Sequence, residues 1–147
     1  MILLIISLVI LSFIQSTILP LELVLEIILL RAFLKVDRTN LYLAFGFGLL
    51  ISFLGHFPLG SQSIIYLLLV AFVHFLSKTP LSKNIFTCIP AVVVLLTFSD
   101  AASALFLHTQ IGWIKILFEL LFAFPIYFIL KIWEERFIVR PDIKLKI

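Results

Sequence analysis

Long apolar runs separated by short polar connections organise this chain. The runs occupy about 2–18, 20–34, 41–54, 62–76, 85–107 and 112–133. They are continuously apolar and do not alternate, so they do not match the alternating segments of about ten residues that build a membrane barrel. Backbone groups in lipid must bond within their own segment, which leaves helices. Crossing the ~30 Å hydrocarbon layer takes about 20 residues at ~1.5 Å each, so the shorter runs need their polar flanks to reach across. The pattern predicts an all-α polytopic membrane protein with six transmembrane helices.

The first run lacks the marks of a cleaved signal. No Lys or Arg precedes it, and no small-x-small site ends it, so it reads as a retained helix. Its link to the second helix is tight, around Gln15, Ser16, Thr17 and Pro20, and Pro20 suits a first helical position.

Composition sharpens the class. Of 147 residues, 63% are hydrophobic and 13% charged, and the mean hydropathy is +1.28. A small domain cannot hide that much apolar surface from water, which excludes a soluble monomer, a disordered chain and a disulfide-stapled domain. Cys88 is the only cysteine, so no internal disulfide is available; it reads as a packing residue.

The net charge of +3 matters less than its placement. Arg31, Lys35 and Arg38 lie between helices two and three, and Lys78 and Lys83 between helices four and five. Lys131, Arg136, Arg140, Lys144 and Lys146 lie at or after the end of helix six. Ten of the eleven basic residues thus fall in alternate connections, and Lys115 is the exception. The connections near Thr17, His56 to Ser61 and His108 to Gln110 carry none. The positive-inside rule then places both termini in the cytoplasm. Trp113 and Trp133 stand twenty residues apart, roughly 30 Å along a helix, as a pair of interfacial anchors would. The expected organisation is a six-helix transmembrane domain over 1–133 and a short charged cytoplasmic tail over 134–147.

No catalytic constellation emerges. Gly46-Phe47-Gly48 has no preceding strand and no third glycine. His56, His74 and His108 are too widely spaced for a zinc pair. Gly60-Ser61-Gln62-Ser63 is a poor match to a rhomboid-type nucleophile. The chain therefore reads as non-enzymatic, with no cofactor, metal or nucleic-acid partner expected.

Two other signals carry more. Ala44, Gly48 and Ser52 recur every four residues, with Gly55 near the same face. Small residues at that spacing let helix backbones approach closely, either within the protein or against a partner's helix. Ionisable residues also occur inside apolar runs. Glu22 and Glu26 share a face of helix two, Asp100 lies in helix five, and Lys115 and Glu119 stand four apart on helix six. An unpaired charge at mid-bilayer costs at least ~2.5–3.5 kcal/mol. These groups must meet protein, water or one another, as a structural network, a partner contact or a solute or proton site.

With those landmarks in order, the chain resembles the rod shape-determining protein MreD family over nearly its whole length. Pro20 and Glu22 open the second helix. Gly48-Leu49-Leu50-Ile51-Ser52 is followed by Phe57-Pro58-Leu59-Gly60, with Ser52 where the family typically carries Asp. The last helix holds Pro125 and ends in the mixed-charge run from Lys131 to Arg136. The resemblance implies a non-enzymatic inner-membrane scaffold of the bacterial cell-wall elongation machinery, acting in cell-shape maintenance. Its partners would be a single-pass MreC-like protein and the wall synthases, with the filament protein MreB coupled to the assembly. The residues expected to serve it are Ala44, Gly48, Ser52 and Gly55 for packing, Pro58 and Gly60 for the outer turn, and Glu26, Asp100, Lys115 and Glu119 for polar contacts. The rival is a substrate-binding membrane subunit of an energy-coupling-factor-type vitamin transporter, with Glu26, Asp100 and Glu119 lining a polar cavity.

Overall fold

The computed structural model describes residues 2–18, 21–78, 85–107 and 113–137. They form six helices: α1 (Ile2–Thr17), α2 (Leu23–Leu34), α3 (Thr39–Leu54), α4 (Ser61–Leu76), α5 (Ile85–Leu107) and α6 (Trp113–Phe137). No strand occurs among the described residues. The all-α class and the helix order agree with the apolar pattern. The expectations resting on Pro20, Lys83, His108, Gln110, Arg140, Lys144 and Lys146, and on the Trp113 and Arg136 side chains, lie outside the described residues.

Six helices do not amount to six crossings. Among the described residues, only Thr87–Leu105 in α5 and Ile114–Glu134 in α6 are long and apolar enough to cross a membrane. The sixteen residues of α1, α3 and α4 reach about 24 Å, and the twelve of α2 about 18 Å, short of the ~30 Å layer. By this measure six spans are not supported. α6 continues past residue 133 to Phe137. Within its spanning window α6 is only 17% buried. Leu117, Leu121 and Ile129 stand on its open face.

α2 is the axis of the fold. It packs against all five other helices, and ten of its twelve residues are buried. Its sequence, LVLEIILLRAFL, is apolar on every side, as an enclosed helix requires. Its ends are closed by side chains from other helices. At the start, the Val24 N–H donates to Gln15 Oε1 at 3.1 Å and the Glu22 N–H to Glu119 Oε1 at 3.2 Å. These satisfy donors that a helix start leaves free, and the Glu119 carboxyl sits at the positive end of the helix dipole. At the finish, Arg31 places a cation at the negative end.

The tightest pairing is the α3–α4 hairpin. A Cβ on Gly48 would stand 2.5 Å from Ser63 Cα. Ser63 Oγ donates to the Phe45 carbonyl at 2.9 Å, and the Gln62 N–H to Ser52 Oγ at 3.3 Å. Close approach and hydrogen bonds, not water exclusion, hold helices together in lipid. The turn between them is set by Pro58, whose carbonyl accepts from the Ser61 N–H at 3.0 Å, and by Gly60 at φ +89°. That left-handed conformation suits glycine, which has no Cβ to clash.

Candidate functional site

The first half of α2 faces a polar cluster assembled from five helices. Glu22 precedes α2 and Glu26 lies within it; Asp100 and Ser99 come from α5, Lys115 and Glu119 from α6, and Gln62 and Tyr66 from α4. Gln15 of α1 closes one side. Glu26, Tyr66, Ser99 and Glu119 are fully buried, and Glu22 and Asp100 nearly so. The Lys115 ammonium bonds Asp100 Oδ1 and lies 3.6 Å from Glu119 Oε1. Glu22 is within electrostatic reach of the same ammonium, and Glu26 within reach of Glu119. Three carboxyl groups therefore share one ammonium, and Glu26 stands behind Glu119. Nearby, the Gln62 amide donates to Ser103 Oγ at 2.9 Å.

Many polar atoms here remain without partners. Among the described residues, Glu22 Oε2, both Glu26 oxygens, Gln62 Oε1, Asp100 Oδ2 and Glu119 Oε2 are buried and accept no hydrogen bond. Buried polar groups are paired in the great majority of cases. A concentration of exceptions at one place singles it out as the candidate site.

The opposite end of α2 is saturated instead. Arg31, 2% exposed, donates to Glu134 Oε1 at 3.1 Å, to Thr39 Oγ1 at 3.4 Å and to Asn40 Oδ1. Asn40 Nδ2 donates in turn to the Lys35 carbonyl at 2.7 Å. Asp37, in the exposed connection, accepts from the Thr39 N–H, and its bonds to Thr39 hold its carboxyl below the usual carboxylate range. α6 thus clamps α2 at both ends, through Glu119 and Glu134.

Between α1 and α6 runs an apolar groove of about 400 Å³. Leu4, Leu11, Ile27, Phe122, Ile126 and Leu130 form most of it, and Trp133 closes its end. Ser7, the one hydroxyl on its wall, donates to the Leu4 carbonyl at 2.8 Å.

The structure sorts the residues singled out in the sequence. Ala44, Gly48 and Ser52 are buried in α3, and Gly48 and Ser52 meet α4 directly. This stripe is therefore the seat of a helix in the same chain. Gly55 faces Phe57, whose ring lies 2.6 Å from where its Cβ would be. Pro58 and Gly60 shape the turn before α4. Glu26, Asp100, Lys115 and Glu119 come together, and Lys115 bonds Asp100 as well as Glu119. Sequence reasoning missed Glu134, placed in a solvated tail, and the burial of Arg31. An arginine in the last turn of a helix that is apolar all round was the available signal. It also missed Gln62, Tyr66 and Ser99, whose polar atoms complete the cluster. Against protein-family models, curated proteins and solved structures, the chain has no match.

Proposed function

We propose that this chain is a non-enzymatic inner-membrane scaffold of the MreD kind, serving bacterial cell-wall elongation, with both termini cytoplasmic and its six helices embedded in the bilayer. Helix length does not oppose embedding. The full thickness is demanded of a helix that faces lipid, whereas α2 touches all five others and irregular or short segments are tolerated where protein surrounds them. The sixteen-residue helices fit with modest local thinning and polar flanks.

The observation that carries the scaffold reading is the groove between α1 and α6. Its wall is apolar along its length, and the neighbouring face of α6 is open. Because Gly48 and Ser52 are already engaged by α4, the groove is the place where a single-pass MreC-like helix would lie. A photo-crosslinking residue at Ile126, inside the groove, is expected to capture a single-pass membrane protein in cells. The same residue at Leu117, on the open face of α6, is not. Equal capture at both positions, or none at Ile126, contradicts the reading.

One observation favours a second reading, a small-solute-binding subunit of an energy-coupling-factor-type transporter. Glu26, Asp100 and Glu119 are gathered with unpartnered oxygens, as a polar binding cavity would need. Purified protein whose thermal stability is unmoved by vitamins would oppose it, since a ligand that binds the folded state stabilises it.

A further inference from the structure

We propose that the cluster at the start of α2 binds a small organic cation bearing N–H donors, an ammonium or guanidinium compound, and that Lys115 is the tethered cation it displaces. The inference holds under either functional reading above, because it rests on the cluster's own geometry.

The donor and acceptor balance comes first. Six of the unpartnered buried oxygens are carboxyl or amide oxygens: Glu22 Oε2, both of Glu26, Gln62 Oε1, Asp100 Oδ2 and Glu119 Oε2. In the ionised form these carboxyl oxygens only accept, so a cationic ligand rich in donors would pair them. Tyr66 and Gln62 come from α4 and are not acids, yet both are buried here, and Gln62 Oε1 has no partner among the described residues. Tyr66 stands within electrostatic reach of Glu22, Asp100 and Glu119. The polar lining is thus more than a row of carboxylates on one helix.

Charge gives the sign. The cluster holds four carboxyl groups and one ammonium, and only Asp100, Glu119 and Glu22 lie within that ammonium's reach, so it is suited to further positive charge. A metal ion is the alternative counter-charge. Among the described residues, however, no three His, Cys, Asp or Glu side chains converge as metal ligands. A cation that spreads its charge over several N–H groups fits oxygens that are spaced apart, and its charge-assisted bonds are the stronger kind.

Lys115 shows where such a cation sits. Its ammonium bonds Asp100, approaches Glu119 and lies within reach of Glu22. At 21% exposure its side chain is the most accessible of the ionisable groups here. A long, flexible lysine at the edge of the cluster can swing out and leave its place to a free cation, which then also reaches Glu26. The narrow access through one side chain's position restricts the ligand to a small molecule.

The probes are agmatine, which carries both an ammonium and a guanidinium, and choline, which has no N–H donor, at equal ionic strength. Binding to the full chain in detergent is read as a saturable rise in Tm. Agmatine is expected to raise Tm and choline to leave it unchanged. Lys115→Met removes the tethered competitor and is expected to bind agmatine about tenfold or more tightly than the native chain. Should Lys115→Met fold poorly alone, recovery of folded protein by agmatine and not by choline gives the same answer. Glu26→Gln, which keeps the size of the side chain, is expected to weaken agmatine binding to the native chain about tenfold or more. Equal effects of agmatine and choline, no effect of agmatine, or unchanged binding by Glu26→Gln overturns the proposal. Weaker binding by Lys115→Met overturns the displacement.

Discussion

Replacing Arg31 with Leu is expected to cost about 3–5 kcal/mol of stability, the range for breaking a buried ion pair and leaving its partner's charge uncompensated. The reason is local. Arg31 joins α2 to Glu134 of α6, and to Thr39 and Asn40 at the start of α3. Without it the Glu134 carboxylate keeps, among the described ion pairs, Lys35 at 3.9 Å, and the Asn40 amide oxygen loses the Arg31 donor. The check is the unfolding midpoint of the purified protein, followed by a double-mutant cycle with Glu134→Leu. If the loss comes from the stranded carboxylate, Arg31→Leu with Glu134→Leu recovers much of it, because apolar replacement of both partners of a buried pair is often close to neutral. Additive losses from the two substitutions would show that Arg31 acts chiefly through α3.

Replacing Glu26 with Leu is expected to have the opposite sign. The side chain is fully buried in the centre of the fold, and neither oxygen has a partner among the described residues. A buried polar group left unsatisfied costs about 1–3 kcal/mol. Leu brings no polar atom that needs a partner, so a gain of about 1–3 kcal/mol in unfolding free energy is expected. Gln at the same position should gain less, since it retains a polar group needing partners. A loss of stability in Glu26→Leu would mean that the carboxyl has a stabilising partner. A residue kept at a cost to stability is the pattern of a functional site, and a gain in stability joined to a loss of cation binding is the signature expected here.

Much of the helix layout was legible in the apolar runs. The spacing of polar breaks placed α3, α4 and α5 within two residues of their observed limits. The Lys115–Glu119 pair was legible too, because four residues on a helix bring side chains onto one face. The arrangement of helices around α2 was not read from the sequence. Run length was taken as a sign of lipid crossing, whereas the shortest helix turned out to be the enclosed one. The all-round apolar character of LVLEIILLRAFL carried that information, since a helix without a polar face has no side left for solvent. The long-range bonds had no local signature. Glu134 lies 103 residues from Arg31, and Glu119 lies 97 from Glu22, so only the fold brings them together. Small-residue spacing was legible as close packing, but sequence alone could not say which helix would fill it. Ser63 of α4 settles that for Gly48.

The proposed membrane embedding is tested most directly by labelling the two ends of α3. In a chain with Cys88 replaced by Ser, a single cysteine is placed at Arg38 or at Leu59, both exposed in the connections flanking that helix. A membrane-impermeant maleimide applied to intact cells is expected to label position 59. Position 38 is expected to react only after the membrane is opened. Labelling of position 38 in intact cells, or the same response at both positions, would contradict the account.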